Sequence, residues 1–230
     1  VTVSSSIPDG AVLTKALTWE AKVDAGSDTV SKVEFSIDGK MLWTETDEPY
    51  IFDEDGQVLP PWLLGNGAHV LSVKAVTGGG IEATAAAHVT VRTDTTANEA
   101  VADTYSRTVT SEDGQRVKPY RTADKGAFGE IPPTGSWTLK ILPEGMLEGY
   151  DPNEPANPFV QPYSVSGNRL TLYGPAVWKQ ADPSKPSLFC DPEKPSEYLW
   201  QRVGPTLALT SLQQACADRD MVVVGTWTPS

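Results

Sequence analysis

Histidine is almost missing from this chain: His69 and His88 are the only two, and none follows them. A Ser-His-Asp triad or a histidine-built zinc site in the C-terminal part is therefore excluded unless the N-terminal part reaches across. Cysteine is as scarce. Cys190 and Cys216 stand neither in a Cys-x-x-Cys pair nor beside a histidine, too few for a thiolate metal centre, which leaves a disulfide or two thiols. Basic residues number 18 against 30 acidic ones, a formal net charge of -12, so nucleic acid and anionic membrane surfaces would be repelled. No apolar run approaches the length of a membrane span. Helical periodicity is nearly absent, no motif names a reaction, and none implies a cofactor.

Short runs of alternating apolar and polar residues, punctuated by Gly, Pro, Asn and Asp, fill the chain instead and predict an all-β protein. Its 230 residues suit two ordinary domains. In residues 1–93 the predicted strands are 11–13, 17–23, 31–37, 40–46, 50–53, 69–76 and 81–91, the spacing of a β-sandwich. Val33, Phe35 and Ile37 alternate with polar residues, and Asp38-Gly39 supplies the positive φ angles of a tight hairpin turn. The segments VSKVEFSIDGK, EPYIF, GNGAHVLSVKAV and AAAHVTV occur in that order. Together they resemble the bacterial immunoglobulin-like domains attached to secreted and cell-surface proteins, over about residues 7–92. The resemblance implies a spacer or adhesion unit and carries over no catalytic residue.

Residues 94–102 lie in a polar, small-residue stretch without periodicity and read as a linker. Residues 103–230 hold about eight further strands, at 104–110, 136–142, 146–150, 159–165, 169–173 and in the closing meander SEYLWQRV, TLALTSL and MVVVGTW. Ser111 is expected to cap a single helical turn ending at Asp113 or Gly114. Up-and-down connection of such strands predicts a small closed barrel, since closure removes exposed edges. The order TYSRTVTSEDG, GSWTLKI, PYSVSGNRLTLYG, EYLWQRVGPTLALTSLQQACADRDMVVVGTW resembles the lipocalin-like (calycin-type) barrel domains of actinobacterial secreted proteins. Gly135-Ser136-Trp137 is similar to the G-x-W that begins the first lipocalin strand, although here it opens the second. The resemblance implies a cup for a small, largely apolar ligand.

Cys190 sits in a Pro-rich segment and Cys216 in the polar connector QQACADRD. Two exposed cysteines favour a bridge worth about 3–4 kcal/mol in the chain-entropy model, and with it an oxidising compartment.

Aromatic and basic side chains supply the candidate ligand-binding set. Tyr198, Trp200 and Arg202 share one face of a strand, Trp137 shares another with Leu139 and Ile141, and Tyr163, Arg169 and Tyr173 complete the lining. The same rings would serve equally as core plugs. An inward, unpaired Arg169 or Arg202 would favour a ligand, because a filled core does not bury a lone charge. Arg219 is expected to pair with Asp218 and Asp220. The run Asp53-Glu54-Asp55-Gly56 begins like a calcium loop but has Leu64 where the closing glutamate belongs, so it reads as a solvated turn, as does Asp151–Glu154; no metal site is expected. Of the carboxylates Glu130, Glu148, Asp151 and Glu197, Glu148 and Glu197 form the pair a glycosidase would need, and outward-facing strand positions explain them as well. His69 reads as a structural strand-edge residue. Trp43, Tyr50 and Trp62 are a candidate exposed platform for a sugar ring.

Three readings follow. The first is a secreted or cell-surface non-catalytic binding module whose barrel holds a small apolar or amphipathic ligand. The second is a structural or adhesion protein whose filled barrel contacts cell wall or partner proteins. The third, with the least support, is an acid-base glycoside hydrolase.

Overall fold

The computed structural model describes all residues except 54–57, 122–132, 157, 175, 177–194 and 214–215. The chain divides into two compact units, Val1–Asp94 and Thr95–Ser230.

The first unit is a β-sandwich built from β1 (Thr2–Ser5), β2 (Val12–Leu13), β3 (Glu20–Asp24), β4 (Val30–Ile37), β5 (Lys40–Glu45), β6 (Tyr50–Ile51), β7 (Gly67–Thr77) and β8 (Glu82–Val91). One sheet has the order β1-β3-β6 and the other β2-β8-β7-β4-β5. Period-two alternation decides the faces: Val33, Phe35, Leu71 and Val73 all turn into the core. Asp38 (φ 52°) and Gly39 (φ 78°) form the expected tight turn between β4 and β5. Trp19 packs edge-on against Phe35 at 5.0 Å between ring centroids, with Phe52 5.2 Å from Trp19. The expected aromatic platform does not form. Tyr50 and Trp62 are buried, Trp62 within a single 3₁₀ turn at Pro61–Leu63, because burial recovers more from such large rings than exposure would.

The second unit is a closed antiparallel barrel. Its strands are β9 (Asp103–Val109), β10 (Gly135–Leu142), β11 (Met146–Tyr150), β12 (Phe159–Ser166), β13 (Arg169–Leu172), β14 (Ser196–Val203), β15 (Thr206–Ser211) and β16 (Gly225–Pro229). Each pairs with the next in sequence, and β16 closes on β9 through Thr228↔Ser106. Tight turns at 143–145, 167–168 and 204–205 lie at one end, and the strand ends Val109, Gly135, Tyr150, Phe159, Leu172, Ser196, Ser211 and Gly225 lie at the other.

Residues 95–102, expected as linker, fold into this unit and cover the tight-turn end. Asn98 is buried; its Oδ1 accepts the Val165 N–H at 3.0 Å and its Nδ2 donates to the Pro143 carbonyl at 3.3 Å. Tyr105 donates its hydroxyl to the Val101 carbonyl at 3.0 Å from inside the barrel.

Two helices correct the sequence reading. The single turn expected near Ser111 is α1 (Ser111–Arg121), and its cap is Thr110, whose N–H and hydroxyl donate to Asp113 Oδ2 at 2.8 and 3.2 Å. Half of the supposed polar connector and the first residues of the expected last strand, Met221–Val223, form α2 (Ala217–Val223), buried along its whole length. Cys216, expected to be exposed, is 1% exposed, and its sulfur accepts the Arg219 N–H at 3.3 Å as the helix cap. The carbonyl end of α2 is held by Arg107 Nη1, which donates to the Val222 and Val224 carbonyls while its Nη2 donates to Asp113 Oδ1 at 2.6 Å. Cations at a helix C-terminus complement both the unpaired carbonyls and the dipole.

Candidate functional site

The inside of the barrel is where the sequence placed a site, and strand parity decides which residues reach it. On β14, Ser196, Tyr198, Trp200 and Arg202 point inward and Glu197, Leu199, Gln201 and Val203 outward. On β13, Leu170 and Leu172 are inward, which turns Arg169 out to Glu197 at 2.9 Å. Tyr173 follows the outward parity, its hydroxyl 3.3 Å from Ser164 Oγ. The structure thus brings Trp137, Tyr163, Tyr198, Trp200 and Arg202 to the interior and leaves Arg169 and Tyr173 outside it.

Away from Trp200 and Arg202, which are half-buried, the interior is tightly enclosed. Trp137, Leu139, Leu147, Tyr163, Leu170, Leu172, Tyr198 and Trp227 are each 0% exposed. A void wide enough for a water molecule would expose the side chains lining it, so these residues border none. Their polar ends are bonded within the chain. Trp137 Nε1 donates to the Pro133 carbonyl at 2.9 Å, Tyr163 to the Leu142 carbonyl at 2.8 Å, and Trp227 Nε1 to the Val223 carbonyl at 2.9 Å. Burial pushes the Tyr163 hydroxyl well above its ordinary pKa. Nearer the tight-turn end, Trp200 Nε1 donates to the Gly167 carbonyl at 3.0 Å. Arg202 lies 5.9 Å from the centre of the Tyr105 ring and donates to Asp103 at 3.2 Å and to the Ala100 carbonyl at 3.3 Å. It is inward but paired, so it does not supply the lone charge that would mark a ligand.

The charge inside the barrel comes from a residue expected elsewhere. Arg219 is 1% exposed and donates from Nη1 to Ser196 Oγ at 2.9 Å, in place of the expected pairing with its two aspartates on the surface. Burial lowers its pKa against the opposing pull of Tyr198 and Asp220. Asp220 is fully buried and accepts the Tyr198 hydroxyl at 2.8 Å, and the Tyr198 pKa is raised by burial and then by the Asp220 charge. An Asp-Arg-Asp run looks like surface in sequence. Its neighbour Cys216 and the MVVV that follows were the available signs of burial.

The hydrolase pair does not converge. Glu148 and Glu197 are on the outward rows of β11 and β14, with β12 and β13 between them in the barrel. Glu148 accepts the Tyr150 hydroxyl at 2.7 Å, an interaction that, after burial, pushes Tyr150 up to about 12. Glu197 accepts from Arg169 and from Gln213 at 2.9 Å each. Asp151 Oδ1 accepts the Asn153 N–H at 2.6 Å in a local turn. Glu130, Glu54 to Gly56 and Cys190 lie outside the described residues, and no group of three or more potential metal ligands occurs among the described ones.

In the first unit His69 is structural. Nδ1 lies 2.8 Å from Asp38 Oδ2 and Nε2 3.0 Å from the Gly65 carbonyl oxygen. Both partners are acceptors, so only the doubly protonated ring satisfies both. Burial opposes that charge, but the Asp38 and Gly65 bonds outweigh it and raise the His69 pKa, while the His69 bond and the Val70 N–H lower that of Asp38.

No family model and no curated protein matches the chain. Parts of it are similar to solved structures. Fibronectin(III)-like modules of Clostridium thermocellum CbhA share 19% identity over 40% of this chain and 97% of theirs, with a TM-score of 0.32. An endo-β-1,4-mannanase from Thermotoga petrophila shares 18% over 40% of this chain and 20% of its own, with a TM-score of 0.33. A lytic polysaccharide monooxygenase from Jonesia denitrificans shares 13% over 36% and 58%, with a TM-score of 0.26.

Proposed function

We propose that the chain is a non-catalytic, extracytoplasmic pair of β modules, a sandwich spacer and a barrel of lipocalin-like kinship, that works through its outer surfaces against cell wall or partner proteins. One observation carries this reading: the inward rings Trp137, Tyr163, Tyr198 and Trp227 are each 0% exposed, and their polar ends are bonded within the chain. Rings that wait for a ligand keep exposed surface or unspent hydrogen bonds, and these four keep neither. The cup for an apolar or amphipathic ligand needs room that these rings occupy. The outer wall offers apolar surface instead, with Leu199, Val203 and Leu212 at 37%, 65% and 40% exposure. A Cys190–Cys216 bridge belongs to the same proposal. It is supported by the lack of any free cysteine among the described residues, and it would suit an oxidising compartment.

Titration of the full chain with a fluorescent fatty acid and with anilinonaphthalene sulfonate tests the packed barrel. No saturable one-to-one binding is expected, and stoichiometric binding to the native protein would overturn it. Co-sedimentation with isolated cell walls then tests the outer surface, with Val203→Asp expected to reduce retention.

A further inference from the structure

One sheet edge of the first unit stops short. β3 pairs with β1 from Thr2↔Asp24 to Ser5↔Ala21, but with β6 only at Glu20↔Ile51 and Ala21↔Tyr50. Backbone parity names the position left open. The Ser6 N–H donates to the Glu20 carbonyl and the Phe52 N–H to the Trp19 carbonyl, so even residues of β3 turn their main-chain groups toward β1 and odd ones toward β6. Val23 is odd, and β6 does not reach it: the chain before Tyr50 comes across from β5, which ends at Glu45 in the other sheet. Edge N–H and C=O groups of this kind are a template for another chain.

Beside Val23 the surface is hollow. An open groove of about 490 Å³ has Glu20, Lys22 and Val23 of β3 in one wall and Glu48 and Pro49 in the other, with Tyr50 between. Its charge is one-sided. Glu20 and Glu48 stand against the single base Lys22, and neither carboxylate has a hydrogen-bond or ion-pair partner among the described residues. Tyr50 is buried, and burial followed by the charges of Glu48, Asp47 and Glu45 raises its pKa, so the negative field extends to the buried phenol.

We propose that this groove takes an extended partner segment carrying lysine or arginine, which adds to β3 as an edge strand by exchanging main-chain bonds with Val23. The inference rests on the reading that the chain works through its outer surfaces, and it gives the sandwich a docking edge besides its part as spacer. Alternation sets the partner's pattern. A side chain opposite Val23 falls on the face of Ala21 and Val23 and suits an apolar group; its neighbours fall on the face of Glu20, Lys22 and Asp24, where acids outnumber the base, and suit a cation. A second copy of the chain is the poorer occupant, since it would set another Glu20 and Glu48 against the first pair on a molecule of net charge -12.

The test is backbone amide NMR of the full chain, titrated with a capped hexapeptide of alternating valine and lysine. The Val23 amide is expected to shift saturably and to exchange more slowly with solvent, as a newly bonded N–H does. Glu20→Gln and Glu48→Gln should each weaken binding about 1.5- to 5-fold, the loss of one exposed ion pair, and Glu20→Lys combined with Glu48→Lys should abolish it. The same peptide with glutamate for lysine should not bind, nor should one N-methylated at its valines. The proposal is overturned if Val23 gives no saturable shift, if the glutamate peptide binds equally, if N-methylation leaves the affinity unchanged, or if the free protein pairs with itself at Val23 as its concentration rises. Cell-wall retention and its loss in Val203→Asp report on the barrel's outer wall, so a failure at Val23 with retention kept sinks the edge alone.

Discussion

Gly149→Ala separates a packed barrel from a hollow one. Gly149 is paired with Phe159 across β11 and β12, and a Cβ built on it would lie 1.9 Å from both Cε1 and Cζ of the Phe159 ring and 2.7 Å from Cδ1. Its φ is not in the left-handed region, so alanine adds volume without backbone strain. The ring must move. Trp137, with its centroid 6.4 Å away, lies beside it in the interior. Movement toward the mouth would re-expose a ring now 7% exposed, at a cost of about 1.5–3 kcal/mol. Overpacking without such movement costs a similar amount, about 1–3 kcal/mol. Native-state hydrogen exchange of the Leu139 and Leu147 amides reads this within the barrel, and roughly 5- to 150-fold faster exchange is expected. Phe159→Leu in the same chain should recover part of the loss, with an interaction energy of about 0.5–3 kcal/mol. Exchange within twofold of the wild type for Gly149→Ala alone would show that Phe159 has empty space to enter, and would refute the packed interior.

Three further outcomes follow from single contacts. Tyr198→Phe removes the donor to Asp220 Oδ1 and leaves a buried carboxylate short of a bond, so the barrel should lose about 1–3 kcal/mol in denaturant unfolding. His69 has a raised folded pKa, so its contribution to the first unit is complete below the unfolded value near 6.5 and is lost as pH rises through the folded value. Asp38 works in the opposite sense, stabilising above its unfolded value of 3.8 and failing as pH falls through its lower folded value. Thermal midpoints of the first unit should therefore decline from neutral toward alkaline pH, and His69→Ala should flatten that slope. Non-reducing peptide mapping should recover Cys190 and Cys216 in one linked pair, and reduction should cost the barrel about 3–4 kcal/mol. Two free thiols in the native protein would remove the bridge.

Most of the strands were legible because the chain alternates strictly where a sheet has one buried face. Arg169-Leu170-Thr171-Leu172 and Ser196 to Val203 show their inward rows in sequence, and Gly167 and Gly204 mark the turns between neighbours. What escaped was structure whose stability is tertiary. Thr2–Ser5 has no apolar alternation and exists as a strand through its pairing with Glu20–Asp24. The α2 helix carries Asp218, Arg219 and Asp220 into the interior, and charge of that kind is buried only where specific partners such as Ser196 and Tyr198 await it, which composition does not display. Arg169 has the chemistry of a ligand-binding residue, but the alternation of its own strand turns it outward. Pro-Pro and Gly around Trp62 point to an exposed ring, yet it is buried.

The most direct test is a crystal of the protein under xenon pressure, since xenon enters dry apolar voids that water leaves empty. A packed barrel should show no xenon among Leu139, Leu147, Tyr163, Leu170 and Tyr198. A xenon atom ordered among those side chains would mean that the barrel encloses room for a ligand after all.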